Sequence, residues 1–170
     1  MDFKEIIRTI PDFPEKGILF RDISTVLKDA GALKKAVDSM ADNVRNLDFD
    51  LIIGPESRGF IFGVPLAYVL GKGFVPIRKA GKLPYETIKK TYALEYGESA
   101  LEMHLDAVKP GQRVVIADDL LATGGTSKAM AEMAEEMGAS VAHMAFFIEL
   151  EALGGRELLK KYEISSIVKY

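Results

Sequence analysis

An apolar run that passes directly into a glycine-rich helix start is the feature that most restricts the fold of this chain. Residues 113–117 (RVVIA) have the composition of a buried strand, and residues 124–137 repeat apolar side chains at helical spacing. Between them stand Asp118 and Asp119, followed by Thr-Gly-Gly-Thr at 123–126. Because α/β proteins are built from strands that lead into helices, this segment predicts a parallel sheet with helices packed against it.

The same alternation of strand and helix continues along the chain. We predict helices at 2–9, 33–47, 59–70 and 155–162, and strands at 50–55, 73–78, 99–103, 140–150 and 165–168. The predicted fold class is α/β, a mainly parallel central sheet flanked by helices in a single domain of residues 1–170. Ligands of such sheets bind outside the carboxyl ends of the strands, so we expect Asp118 and Asp119 at the binding site.

Two segments lack the periodicity of the rest. Pro11 and Pro14 break the first helix and predict an irregular stretch through residue 24. Residues 79–98 are polar, carry glycine and proline, and show no core periodicity. A loop of this length inside a compact domain is typical of an active-site lid, so we predict a long flexible loop at 79–98.

Composition excludes several classes of protein. The 170 residues are 48% hydrophobic and 28% charged, with a formal net charge of −3, which argues against a general nucleic-acid binder. No cysteine is present, so disulfides, thiolate nucleophiles and cysteine-ligated zinc are excluded. The N-terminus has no signal-peptide core, and the longest apolar run, 59–71, is shorter than the ~20 residues that a membrane helix needs. We therefore expect a soluble cytoplasmic protein without a membrane or nucleic-acid partner.

The motif at 118–126 combines two opposite chemistries. The first N–H groups of a helix lack intrahelical partners and favour an anion, and the glycines let the backbone approach it closely. The carboxylates repel an anion but accept hydrogen bonds from hydroxyl groups. A ribose 5-phosphate satisfies both, with its phosphate at the helix start and its hydroxyls on Asp118 and Asp119. In the alternative without a ligand, one aspartate is a surface residue, the other caps a neighbouring helix, and the Thr-Gly-Gly-Thr turn only caps the helix that follows. Neither the Walker sequence nor G-x-G-x-x-G occurs in this motif.

The string VVIADDLLATGGT resembles the 5-phosphoribosyl diphosphate (PRPP) motif of type I phosphoribosyltransferases. FPEKGILFRDIS, GPESRGFIFG, IRKAGKLP and YALEYG precede it in the order seen in adenine phosphoribosyltransferases, and these blocks cover residues 13–126. The resemblance implies the type I fold with a small N-terminal hood at 1–30, and transfer of phosphoribose from PRPP to adenine. The products would be AMP and pyrophosphate. It also implies Mg²⁺ carried by the pyrophosphate rather than by protein ligands, and a homodimer.

The resemblance also assigns roles to individual residues. The aspartates would hold the ribose hydroxyls, Glu95 would be catalytic, and Tyr96 would belong to the lid. The 5-phosphate would lie on Ala122, Thr123, Gly124, Gly125 and Thr126. Pyrophosphate would meet Glu56, Ser57, Arg58, Arg78, Lys79 and Lys82, with Arg58 also contributing to catalysis and the Glu56–Ser57 peptide in the cis form. Adenine would contact Leu19, Phe20 and Arg21, largely through backbone groups.

Each assignment has a plainer alternative. Arg58 would otherwise be a surface charge, although a helix start is a poor place for a cation. The basic residues at 78–82 and Glu95 would be solvated, and Phe20 would be core filler. For the whole protein, the alternatives are a PRPP-sensing regulator without enzymatic activity, or an enzyme that uses hypoxanthine, guanine or xanthine.

Overall fold

The structure is a computed structural model that describes residues 1–93 and 98–170. The strands are β1 (Arg8–Pro11), β2 (Leu19–Asp22), β3 (Leu51–Pro55), β4 (Gly73–Lys79), β5 (Thr87–Ala93), β6 (Glu98–His104), β7 (Arg113–Leu121), β8 (Ser140–Glu149) and β9 (Ile164–Lys169). The helices are α1 (Phe3–Ile6), α2 (Ser24–Leu27), α3 (Ala30–Val44), α4 (Arg58–Leu70), α5 (Gly125–Glu136) and α6 (Gly155–Leu158), with one 3-10 turn at Glu151–Leu153.

Among the described residues, seven strands form one sheet in the order β5-β6-β4-β3-β7-β8-β9. The pairs from β4 through β3, β7 and β8 to β9 are parallel, whereas β6 pairs antiparallel with both β4 and β5. This confirms the predicted mainly parallel α/β sheet. Strands β1 and β2 form a separate antiparallel hairpin.

The central strands are buried on both faces because their side chains alternate between two layers. Val115 and Ala117 pack with α3, α4 and the N-terminal elements, whereas Val114 and Ile116 pack with α5 on the opposite face. All four of these side chains are fully buried. In α3 most of the predicted apolar face is confirmed, since Ala36, Val37, Met40, Ala41 and Val44 are buried, but the helix ends at Val44 and Leu47 beyond it is exposed. Among the described residues, no helix is both long and apolar enough to cross a membrane.

Several predicted boundaries are wrong, and each error has a local cause. The first helix ends at Ile6, and Arg8–Pro11 forms β1, which pairs with β2; the stretch predicted to be irregular therefore contains β2, although residues 12–18 lie outside helices and strands as predicted. The helix predicted at 155–162 is one turn, Gly155–Leu158. Strand β7 continues four residues beyond Ala117 to Leu121, so the aspartates lie within the strand. Pairing with β8 supports this extension, because β8 continues to Glu149, which lies opposite Leu121.

The prediction of a loop across 79–98 is only partly correct in the described part of that segment: residues 80–86 lie outside helices and strands, whereas the flanking residues belong to β4, β5 and β6. Strand β4 extends to Lys79, and β5 pairs with β6 in seven register pairs. The apolar face of β5 carries Ile88 and Tyr92 with Lys90 between them, so its strand periodicity is weak in the sequence. Closure of this segment over the site as a lid stays a prediction.

Candidate active site

Strands β3 and β7 are parallel neighbours, so the segments at their carboxyl ends lie side by side. Residues 55–59 connect the end of β3 to α4, and residues 118–126 connect the end of β7 to α5. Residues 55–59 and residues 118–120, 122 and 126 line one cavity of about 460 Å³. Cavities of this size are typical of small-molecule sites in proteins. The fold therefore places the glycine-rich motif and the Glu56-Ser57-Arg58 segment in one site, as predicted for the edge of a parallel sheet.

Asp118 and Asp119 are buried at 8% and 5% exposure on the wall of this cavity. The Asp119 N–H donates to Asp118 Oδ1 at 2.8 Å, and Arg58 Nε lies 2.8 Å from Asp119 Oδ2. Burial raises the pKa of Asp118 well above its ordinary value, and the neighbouring charge of Asp119 raises it further. Burial also raises the pKa of Asp119, although the Arg58 guanidinium acts in the opposite direction. Hydroxyl groups that donate hydrogen bonds to these two buried carboxyl groups would stabilise them.

The start of α5 forms the second part of the site. Residues 122–127 line a smaller cavity of about 70 Å³ that Asp118 also borders. Helix α5 begins at Gly125, and Gly124 before it has φ +85°, a conformation that favours glycine. In the described part of the chain, the backbone N–H groups of residues 123–127 find no protein acceptor. These free donors at a helix start suit an anion.

Glu56 gathers the cations that were predicted to bind pyrophosphate. Its carboxylate accepts from the Lys79 N–H at 2.7 Å and from Lys82 Nζ at 2.6 Å, and Arg78 Nε lies 3.4 Å away. Burial raises the pKa of Glu56, but these hydrogen bonds and charges outweigh it and hold the pKa below its ordinary value. The Glu56–Ser57 peptide is cis, as the resemblance implies. The large cavity is lined by Glu56, Ser57, Arg58 and Lys79. Arg78 and Lys82 do not line it but contact Glu56, which does.

The residues predicted to hold adenine lie on β2, outside the walls of the large cavity. Leu19 is exposed, and the Phe20 ring centre is 5.6 Å from the Arg58 guanidinium. The Arg21 side chain donates to Thr9 Oγ1 at 2.6 Å and lies 3.8 Å from the ring centre of Tyr170. The Arg21 guanidinium is therefore held by the protein, and its backbone lies opposite Thr9 in the β1–β2 hairpin.

Glu95 and Tyr96 lie outside the described residues. Tyr92, just before them, was not predicted as a site residue, yet it lines the large cavity and accepts a hydrogen bond from Thr126 Oγ1 at 3.3 Å. The alternation of Ile88 and Tyr92 on one face of β5 was the available signal for this position. No group of three or more His, Asp and Glu side chains suited to a metal ion occurs among residues 1–93 and 98–170.

The chain is similar over nearly its whole length to proteins of one enzyme family. The phosphoribosyl transferase domain family matches residues 24–169. An adenine phosphoribosyltransferase of Agathobacter rectalis is 60% identical over 167 residues, covering 98% of this chain and 96% of that protein. The crystal structure of adenine phosphoribosyltransferase from Thermoanaerobacter pseudethanolicus superposes with a TM-score of 0.96 at 55% identity, covering 98% of this chain and 97% of that one.

A more distant structure carries ligands. The adenine phosphoribosyltransferase of Trypanosoma brucei, in complex with AMP, pyrophosphate and ribose-5-phosphate, has a TM-score of 0.89 at 26% identity. It covers 98% of this chain, and this chain covers 77% of it.

Proposed function

This chain belongs to the adenine phosphoribosyltransferases, and from that premise we propose that it transfers the 5-phosphoribosyl group of PRPP to adenine. The products are AMP and pyrophosphate, as in purine salvage. One observation carries the proposal: a buried pair of carboxyl groups lines the large cavity, and a row of free N–H donors at a helix start lines the smaller cavity, which Asp118 also borders. A sugar phosphate has a hydroxyl face for the first and an anion for the second.

We infer that Asp118 and Asp119 accept hydrogen bonds from the ribose 2- and 3-hydroxyls. Because both carboxyl groups are largely buried, each hydrogen bond that a ribose hydroxyl donates to them is stronger than the same bond in solvent. The 5-phosphate would lie on Ala122, Thr123, Gly124, Gly125 and Thr126. Its negative charge would then sit at the positive end of α5.

The pyrophosphate would lie beside Ser57, Arg58 and Lys79, which line the same cavity. Because Glu56 is already bonded to Lys82 and to the Lys79 N–H, its carboxylate acts as an organiser of the cations, with Arg78 nearby. Mg²⁺ bound to the pyrophosphate oxygens would neutralise the charge that develops on the leaving group. Asp118 and Asp119 line the same cavity and offer carboxylate oxygens of the kind that Mg²⁺ prefers, while the pyrophosphate oxygens would supply its other ligands.

Catalysis would rest on positioning and electrostatics. As the bond from the ribose to pyrophosphate breaks, positive charge develops on the sugar, and a fixed carboxylate nearby stabilises it. We assign this role, or the removal of the adenine proton, to Glu95, with Tyr96 beside it in the lid. Adenine would lie against Leu19 and Phe20 and be read by the backbone at Arg21. A homodimer and a cytoplasmic location complete the proposal.

Incubating the protein with PRPP, Mg²⁺ and one base at a time tests this function directly. Chromatography of the products should show AMP from adenine, with pyrophosphate in equal amount. Formation of nucleotide from hypoxanthine or guanine but not from adenine would contradict the proposed acceptor. Binding of PRPP without turnover on any base would favour a sensor instead of an enzyme. Sedimentation of the purified protein would test the homodimer, and fractionation of cells the location.

A further inference from the structure

A short turn after β8 packs against the back of the predicted phosphate site. Gly155, at the start of α6, lies so close to this loop that a methyl group on it would collide with the carbonyl oxygen of Ala122. A methyl group on Gly124 would in turn lie 3.0 Å from the Gly155 carbonyl oxygen. Leu159, which follows the turn, is fully buried and also faces Gly124. The position of the 122–124 backbone therefore depends on where this turn is held.

Arg156, the next residue, holds the turn to the sheet. Its Nε and Nη2 donate to the two carboxylate oxygens of Glu149 at 2.8 and 2.6 Å, and its Nη1 donates to the Ile164 carbonyl at 3.1 Å. Two parallel hydrogen bonds of this kind fix orientation as well as distance. The turn is therefore fastened to β8 and to the start of β9 at the same time.

Glu149 is a rigid anchor for this contact. It is 2% exposed at the end of β8, where it pairs with Leu121 of β7, the residue before Ala122. Ser166 Oγ of β9 also donates to Glu149 Oε2, at 2.5 Å. The hydrogen bond from Arg156 outweighs burial and holds the pKa of Glu149 below its ordinary value, so the pair stays ionised at neutral pH.

We propose that Glu149 and Arg156 are positioning residues for the 5-phosphate of PRPP, acting through Gly155 on the loop at 122–124. Neither side chain lines the cavities of the site, so neither is a direct ligand. The inference rests on the proposed function, because it assigns a support to the phosphate site of that same reaction. A displaced turn would widen the loop and misplace its N–H donors, while the adenine and pyrophosphate contacts stay in place.

Two independent variants test the support by different routes. Glu149→Gln removes the charge but keeps the size of the side chain, and Gly155→Ala pushes on the Ala122 carbonyl without touching any charge. Both should raise KM for PRPP, on the order of tenfold, because small displacements of positioning groups are costly. KM for adenine should stay within about twofold, and kcat should change much less than KM for PRPP.

A matched control separates positioning from general loss of stability. Val168→Ala shortens a buried side chain of β9 that packs in the cluster with α3 and α4, on the face opposite α5. It should lower Tm without changing KM for PRPP. If Glu149→Gln lowers Tm but leaves KM for PRPP at the wild-type value, or if Val168→Ala raises that KM equally, the positioning role is refuted.

The same variants keep this inference distinct from the proposed reaction. Wild-type protein that forms no AMP would overturn the proposed function. In that case calorimetry with ribose 5-phosphate still decides the role of the pair, since Glu149→Gln and Gly155→Ala should raise its Kd and Val168→Ala should not. An unchanged Kd in both site variants would refute the support even if AMP forms.

Discussion

Replacing Asp118 by asparagine should make the free protein more stable at neutral pH and, at the same time, less able to bind PRPP. Burial and the neighbouring Asp119 raise the pKa of Asp118, so its charged form is unfavourable in the folded state. Asparagine removes the charge and keeps an oxygen that can accept from the Asp119 N–H, a hydrogen bond of 2.8 Å in the structure. The substitution therefore removes a cost without opening a cavity.

The sign and size of the effect follow from linkage. A group with a raised folded-state pKa stabilises the fold below its unfolded pKa and loses that contribution as pH rises through the folded value. Replacing buried ionised groups by uncharged residues of similar volume is often neutral or stabilising by about 1–4 kcal/mol. We expect Asp118→Asn to gain about 2 kcal/mol near neutral pH, or about 4–8 °C in Tm for a chain of this size. The gain should shrink towards acid pH.

Thermal unfolding followed by circular dichroism between about pH 5 and pH 8 measures this difference. Asp106→Asn, at an exposed aspartate outside the site, is the matched control and should leave Tm nearly unchanged. PRPP with Mg²⁺ at about a hundred times its Kd should stabilise the wild type by about 2.7 kcal/mol and the variant much less, so the order of stability reverses. A free variant that is less stable than the wild type at neutral pH would refute the reasoning, as would an equal response to PRPP.

Three further substitutions test other parts of the site. Glu95→Gln should lower kcat by about 100-fold with little change in the Kd of PRPP, because a positioned acid–base or electrostatic group acts on the transition state; an unchanged rate would remove Glu95 from the mechanism. Gly125→Val should abolish PRPP binding in calorimetry while the circular dichroism spectrum stays native, and normal affinity would contradict the phosphate site. Glu56→Gln should weaken magnesium pyrophosphate binding about fivefold, or by about 1 kcal/mol, because Lys82 and Arg78 lose the carboxylate that holds them beside the site; unchanged or tighter binding would contradict the role of Glu56 as organiser of these cations.

The inner strands and α3 could be predicted because burial leaves a clear pattern in their sequences. Strands β3 and β7 read as continuous apolar runs since both faces are covered, and α3 repeats its buried residues at helical spacing. Strands β1, β2 and β5 lack such a pattern. No side chain of β1 or β2 is buried, and residues 87–92 of β5 are at most partly buried, so these strands form through pairing with their hairpin partners. Local periodicity carries no information about such pairing.

The candidate site likewise contains residues that could be predicted from the sequence and contacts that could not. Asp118, Asp119 and the Thr-Gly-Gly-Thr turn were predictable because their chemistry is concentrated in one short stretch that follows a buried strand. The bond between Glu56 and Lys82 and the contact of Gly155 with Ala122 join segments that are far apart in sequence. Such contacts exist only after the sheet has assembled, and a glycine or a glutamate in a loop gives no sign of its distant partner.

The way in which the β5–β6 hairpin joins the sheet has a consequence for how the molecule can change. Seven register pairs hold its two strands together, but only two, Arg78 with Glu102 and Lys79 with Leu101, connect it to β4. Lengthening both arms of the hairpin by the same number of residues would leave the alignment of the inner strands untouched. A longer or shorter arm would nevertheless change the contact between Tyr92 and Thr126, so the site and not the sheet limits the length of this hairpin.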